Sequence, residues 1–170
     1  VISLLVLGIL ALTLAKEAVT EKIERHLIDK AEGVSEIIDG RVDAFWQFLE
    51  GVARMPFLQD DNMTLLQKMH LLEIEAKANP TIHSLYITDE NGRLEFLDGS
   101  IHSAKDDKWF QDCMMGKRFC GTPYADERLN GEFVMDISVP VYDKNKVVIG
   151  VLIADISGLW LSEQIKDIVV

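Results

Sequence analysis

The sequence predicts an α+β domain in which a long N-terminal helix packs on an antiparallel sheet. Three observations carry that expectation. Apolar residues recur every three or four positions from Val19 to Val52, which is the spacing of one helix face. After Pro80 the pattern changes to short alternating runs, the mark of strands. Turn sequences at Asn91-Gly92 and at Asp143–Lys146 then join those runs in pairs, and consecutive hairpins make an antiparallel sheet. With 170 residues, 48% of them apolar, the chain can bury one core. A formal charge of −11 argues against nucleic acid, because phosphate binding needs a concentrated basic surface. The same charge does not argue against a cationic ligand, which an acidic surface would attract.

The chain opens with VISLLVLGILALTLA, uncharged and apolar through Ala15. A membrane span needs about 20 such residues, and a shorter run also fits the apolar core of a signal peptide. Here the run passes without a break into AKEAVTEKIERHLIDKAEG. Residues 1–15 are therefore expected to be the outer part of a transmembrane helix, with a signal peptide as the alternative. The helix continues over 16–56 with Val19, Ile23, Leu27, Ala31, Val34, Ile38, Val42, Phe45, Leu49 and Val52 on one stripe. At 1.5 Å per residue the stripe is on the order of 50 Å long, which outgrows a small domain. Its membrane-side half is expected to pair with a second copy, giving a homodimer, while the FWQFL half packs on the domain. The alternative is a stripe that is ordinary core throughout. Pro56 ends the helix.

A second helix is expected from Asn62 or Thr64, either of which can cap it, to Asn79 before Pro80. Its apolar set is Leu65, Leu66, Met69, Leu72 and Ile74. IHSLYITDENGRLEFLD reads as a hairpin around a type I′ turn, which needs positive φ and so favours Asn-Gly. Asp106 to Met115 reads as a short helix closed by Gly116. EFVMDISVPVYDKNKVVIGVLIADI supplies two longer strands, and the tail GLWLSEQIKDIVV leaves as an amphipathic helix over 158–170.

Catalytic and metal signatures are missing from the sequence. His26, His70, His83 and His102 show no ligand spacing, and there is no CxxC pair, no G-x-S-x-G elbow and no glycine-rich phosphate loop. No metal, no cofactor and no enzyme activity are expected. Cys113 and Cys120 fit a disulfide outside the membrane and equally fit two buried thiols. Asp155 follows VLIA deep in an apolar strand, where a carboxylate must find a partner or neutralise. That partner is either a donor in the protein or a ligand.

The segments YITDENGRLEF, KWFQDCMMG, PYADERLNG and MDISVPVYDKNKVVIGVLIADI, in this order behind a long helix, carry a family resemblance. Over nearly its whole length the chain resembles the extracellular Cache sensors, with PAS-like modules, of bacterial chemotaxis receptors, histidine kinases and cyclic-dinucleotide enzymes. The resemblance implies that residues 57–157 form the sensor module. In the amino-acid-binding, double-Cache members the short helix carries an aromatic residue and then Arg-x-Trp-Tyr; the loop carries Tyr-x-Asp, and the last strand ends in Asp. Trp109 and Phe110 fall on the Trp-Tyr pair, Tyr124 and Asp126 on Tyr-x-Asp, and Asp155 on the final Asp. The chain departs from the pattern at Asp107, which stands in place of the arginine, and at His102, which stands in place of the upstream aromatic. An arginine there grips a carboxylate as a fork, whereas an aspartate repels one.

What the resemblance and the residues together imply is a ligand-sensing module of a membrane-anchored receptor, lying in the periplasm or outside the cell. The expected ligand is a small amine or amino-acid-like molecule, held by Trp109, Phe110, Tyr124, Asp126 and Asp155 with Asp107 and His102 nearby. A chemotaxis receptor is the favoured context; the input domain of a histidine kinase or diguanylate cyclase is the alternative. The long helix and the amino-acid-type motif favour the double form, with this chain as the distal module. A rival of another class is a ligand-free module for dimerisation or partner docking. Each site residue also has a structural reading: Trp109 and Phe110 as core, Asp126 as a turn former, and Asp107 as an acid at a helix start.

Overall fold

The computed structural model describes residues 2–160, with residues 2–15 and 128 described through the backbone alone. The side chains of the expected transmembrane stretch 1–15, and the expected exit helix beyond Trp160, lie outside the described residues. Among the described residues, no helix is long and apolar enough to cross a membrane. The chain divides into two compact units, residues 1–40 and residues 41–170.

The first unit is the N-terminal part of helix α1 (Ile2–Ala53). Within it Val19, Ile23 and Leu27 are each more than half exposed. In the second unit the same stripe is core, since Val42, Phe45, Leu49 and Val52 are all buried. A 3-10 turn at Pro56–Gln59 follows, with Leu58 buried.

Helix α2 (Leu65–Ala78) begins at Thr64. Its hydroxyl accepts from Gln67 N–H at 3.2 Å and the Gln67 side chain accepts from Thr64 N–H at 2.9 Å, a closed capping box. The helix packs on β1 (Ile82–Ile87) and buries Met69, Leu72 and Ala76. Ile74, expected on that face, is 64% exposed. It lies two residues from both Leu72 and Ala76, about 200° around the helix from each.

The expected hairpin at Asn91-Gly92 is corrected. Strand β1 pairs with β7 (Val148–Ser157), while β2 (Arg93–Glu95) pairs with β3 (Ile101–Ser103) in a separate two-stranded sheet. Only the bridge Thr88–Leu94 links the two sides of the turn as strands. The turn is also not type I′, because Gly92 has φ 80 and Asn91 is not left-handed. Asp89 organises it instead: its carboxylate accepts from Asn91 N–H at 2.9 Å and Arg93 N–H at 2.8 Å.

The main sheet runs β1-β7-β6-β4, with β6 spanning Glu132–Tyr142 and β4 spanning Phe119–Cys120; β5 (Tyr124–Asp126) also pairs with β6. The segment expected as a loop at Tyr124–Asp126 is therefore a short strand. Strands β6 and β7 form the expected long hairpin, with Ile137 opposite Ala154 and Asp136 opposite Asp155. Side chains alternate across this ladder. Met135, Ile137, Val139 and Val141 share one face with Leu152, Ala154 and Ile156, and all seven are buried. Asp136, Ser138, Val151, Ile153 and Asp155 share the other face, where Val151 and Ile153 cluster with Ala104, Phe110 and Cys113. Helix α3 (Lys108–Met114) packs on this second face. On β7 Gly150 admits the backbone of Thr88, whose carbonyl oxygen lies 2.1 Å from where a Cβ would stand. Cys113 and Cys120 are both free thiols.

Candidate ligand-binding site

The α3-facing side of the sheet ends in a cavity of about 270 Å³. Strand alternation builds its floor. Counting along β7 from Val151 and Ile153 brings Asp155 to the same face, and the ladder sets Asp136 directly opposite it. Two carboxylates opposed across a ladder repel unless positive charge or donors lie between them. Asp155 is only 4% exposed, and both carboxylates are engaged by the surrounding protein. Asp136 is also tied to β5, because the Tyr124 hydroxyl donates to its Oδ1 at 3.0 Å. Burial pushes the Tyr124 phenol well above its ordinary range, and the charges of Asp136 and Asp155 push it the same way. The hydroxyl thus stays protonated and remains a donor.

Aromatic rings make the walls. Trp109 comes from α3, Tyr86 from β1 and Phe96 from the loop after β2. Tyr86 and Phe96 meet edge to face with centroids 5.4 Å apart. On the rim, His102 Nε2 lies 3.2 Å from Asp107 Oδ2. Asp107 occupies the N-cap position of α3, but its side chain makes no capping bond and turns to His102 instead.

Five of the seven residues expected at the site therefore line one cavity: His102, Asp107, Trp109, Tyr124 and Asp155. Phe110 does not. One residue on from Trp109, its side chain points about 100° further around the helix, into the cluster with Cys113, Val151 and Ile153. Asp126 is buried beside Tyr124 on β5 but is not a lining residue. Its carbonyl accepts from Gly131 N–H at 2.9 Å, which ties it into the turn, so the turn-forming reading describes its backbone. Sequence reasoning missed Asp136, Tyr86 and Phe96. Asp136 had a signal, since closing the hairpin around Asn145 sets residue 136 opposite 155. Tyr86 had none, because β1 reaches β7 only through the tertiary fold.

Chemically, the cavity offers π faces and carboxylates, a combination that stabilises a cation and repels an anion. Among the described residues that line it, none is a lysine or arginine. No group of His, Cys, Asp and Glu among the described residues is arranged to hold a metal ion.

A family model described as "Methyl-accepting chemotaxis protein-like, first PDC sensor domain" matches residues 55–162. The sensory domain of the Campylobacter jejuni chemoreceptor Tlp3 with isoleucine bound is similar in structure, with a TM-score of 0.61 and 17% identity, over 81% of this chain and 60% of that one. The ligand-binding domain of the Pseudomonas aeruginosa PAO1 amino-acid chemoreceptor PctC in complex with GABA gives 0.58 and 18%, over 81% of this chain and 61% of that one. The extracellular domain of the putative histidine kinase rpHK1S-Z16 gives 0.57 and 17%, over 78% of this chain and 54% of that one. The chain thus spans between 54% and 61% of the length of these structures, and at such identities the likeness is one of fold. No curated protein sequence matches it.

Proposed function

The chain belongs to the methyl-accepting chemotaxis protein-like family of first PDC sensor domains, and from that premise we propose that it senses a small molecule through the molecule's ammonium group. The observation that carries the ligand class is the pair Asp136 and Asp155, set opposite each other on the floor of an aromatic-walled cavity. A cation over such rings gains about 0.5–2 kcal/mol, and a desolvated carboxylate adds to that. Isoleucine and GABA, held by two of the similar structures, each carry an ammonium and a carboxylate. In this cavity Asp107, paired with His102, stands where the resemblance sets the carboxylate-gripping arginine. Tyr124 and Asp155 of the implied ammonium-binding set line the cavity and no arginine stands at the carboxylate-gripping position, which favours a small amine over an α-amino acid.

The same reading makes the chain the distal, outward-facing module of a membrane-anchored receptor, with the membrane reached through residues 1–15. The family favours a chemoreceptor as the whole protein; the kinase sensor of similar fold supports a histidine kinase as the second possibility. Asp155 lies three residues before Gly158, where the exit segment begins. A ligand drawn to Asp155 thereby acts at the root of that segment, and it signals if it binds two positions of the segment with different affinity.

The test is a thermal-shift screen of the 170-residue chain in detergent against monoamines, amino acids and carboxylates. Amines are expected to raise the midpoint, and Asp155→Ala to abolish the rise. A rise with ordinary amino acids and none with amines would overturn the ligand class. No rise with any compound would replace the sensor by a ligand-free dimerisation or docking module.

A further inference from the structure

A second cavity, of about 590 Å³, is formed by the end of α1, the segment after α3 and the β6–β7 turn. Its size is in the range of small-molecule sites. Three cations, Arg54, Arg118 and Lys146, face it alongside two carboxylates, Glu50 and Asp143. Both carboxylates are already committed. Glu50 accepts from Arg118 Nε at 2.7 Å and from Arg54 at 3.4 Å. Asp143 is held in its own turn, accepting from Asn145 N–H and Val147 N–H at 2.8 Å each. Among the described residues, the Lys146 ammonium has no hydrogen-bond or ion-pair partner. The cavity is therefore a local excess of positive charge in a chain of net charge −11.

Lys146 is also in an unusual backbone state, with φ 64, in the left-handed region. The chain contains its own control. Asp89-Glu90-Asn91-Gly92-Arg93 forms the same turn, with the aspartate carboxylate accepting from the residues two and four positions on and the fourth residue left-handed. That fourth residue is glycine in one turn and lysine in the other. A side chain at positive φ is strained, and such strain concentrates where a side chain is used. The long apolar stem of Lys146, with Ala53, Pro140 and the Tyr142 ring, gives the cavity apolar walls beside its cations.

We infer that this cavity is a second ligand site, separate from the amine cavity, and that it takes an organic monocarboxylate with a compact apolar body. Lys146 and Arg54 hold the carboxylate, and Ala53, Pro140 and Tyr142 cover the body. Because Glu50 belongs to α1 and Arg54 directly follows its last residue, occupancy is felt at the end of that helix.

Calorimetric titration of the 170-residue chain in detergent with benzoate, benzamide and inorganic phosphate tests this. Benzoate is expected to bind saturably, with affinity lowered about tenfold by Lys146→Gly and severalfold by Arg54→Gln. Asp155→Ala is expected to leave benzoate binding unchanged, which separates this site from the amine reading. Lys146→Gly also relieves the backbone, so its melting midpoint without ligand is expected to rise by roughly 2–4 °C, showing that lost binding is not lost folding. Absent benzoate binding, benzamide binding as tight as benzoate, or full binding in Lys146→Gly would each overturn the site. Phosphate binding as tight as benzoate would overturn its assignment to an organic carboxylate.

Discussion

Cys113 shows how much a single buried group reveals about the core. Its thiol is fully buried among Ala104, Phe110, Val151 and Ile153, and burial, helped by the charge of Asp112, pushes its pKa from an ordinary 9 up to about 12. Below pH 9 the thiol is protonated in both the folded and unfolded chains, and its contribution to stability is complete. From pH 9 upward the unfolded chain releases the proton and the folded one keeps it, so stability falls until the folded thiol titrates near 12. The largest slope from one such group is about 1.4 kcal/mol per pH unit. Tyr124, also raised by burial and nearby carboxylates, adds the same sign of slope above its ordinary value near 10. Cys113→Ala is expected to lose about 1 kcal/mol at pH 7 by leaving a small void, yet to decline less steeply between pH 9 and 11. Urea midpoints measured across that range decide it; parallel declines for the two proteins would show that the thiol does not titrate between states. Legibility at this scale followed local pattern. Trp109, Tyr124 and Asp155 sit in short motifs readable without a fold, and five of seven expected residues share one cavity. Phe110 failed because adjacent helical residues point apart, and Asp136 was overlooked because its value depends on a partner nineteen positions away.

Among the elements, helices and the β6–β7 hairpin were legible, while the partners of the small strands were not. The capping box at Thr64 and the stop before Pro80 are local chemistry, and α2 follows them. β1 instead pairs with a strand more than 60 residues on, and β2 pairs with β3 in a separate ladder, so an Asn-Gly turn between them did not make a hairpin. Helix α1 poses the sharper question. One stripe is core at Val42, Phe45, Leu49 and Val52 and bare at Val19, Ile23 and Leu27, which are exposed by 58%, 55% and 60%. Side chains of that size on one helical face fit the homodimer that the sequence predicts, with Glu21 and Arg25 pairing on the helix surface. Changing both Ile23 and Leu27 to Glu is expected to convert a dimer of the chain to monomer in analytical ultracentrifugation in detergent. The melting midpoint is expected to stay put, because neither residue contributes to the core of residues 41–160. A wild-type chain that is already monomeric at every concentration tested would overturn the dimer.

At the scale of the whole molecule, charge decides which ligands arrive and how firmly they stay. The chain carries 28 acidic and 17 basic residues, and the cavity beneath Trp109 adds Asp107, Asp136 and Asp155 to the field that a cation meets on entry. Attraction from distant surface carboxylates is screened over about 10 Å at 0.1 M salt and over about 3 Å at 1 M. Contact with Asp155 at the buried floor is screened much less. Amine binding should therefore have two separable parts. Raising sodium chloride from 0.05 M to 1 M is expected to weaken a bound monoamine severalfold, mostly through a slower association rate, and to leave a residual affinity that salt does not remove. In Asp155→Asn the residual part is expected to disappear while the salt-sensitive part remains, since the surface field is unaltered. Stopped-flow association and dissociation rates across the salt series read the two parts directly. An affinity indifferent to salt would mean that the surface charge plays no part in capture. An affinity that vanishes at 1 M would mean that no buried carboxylate holds the ammonium.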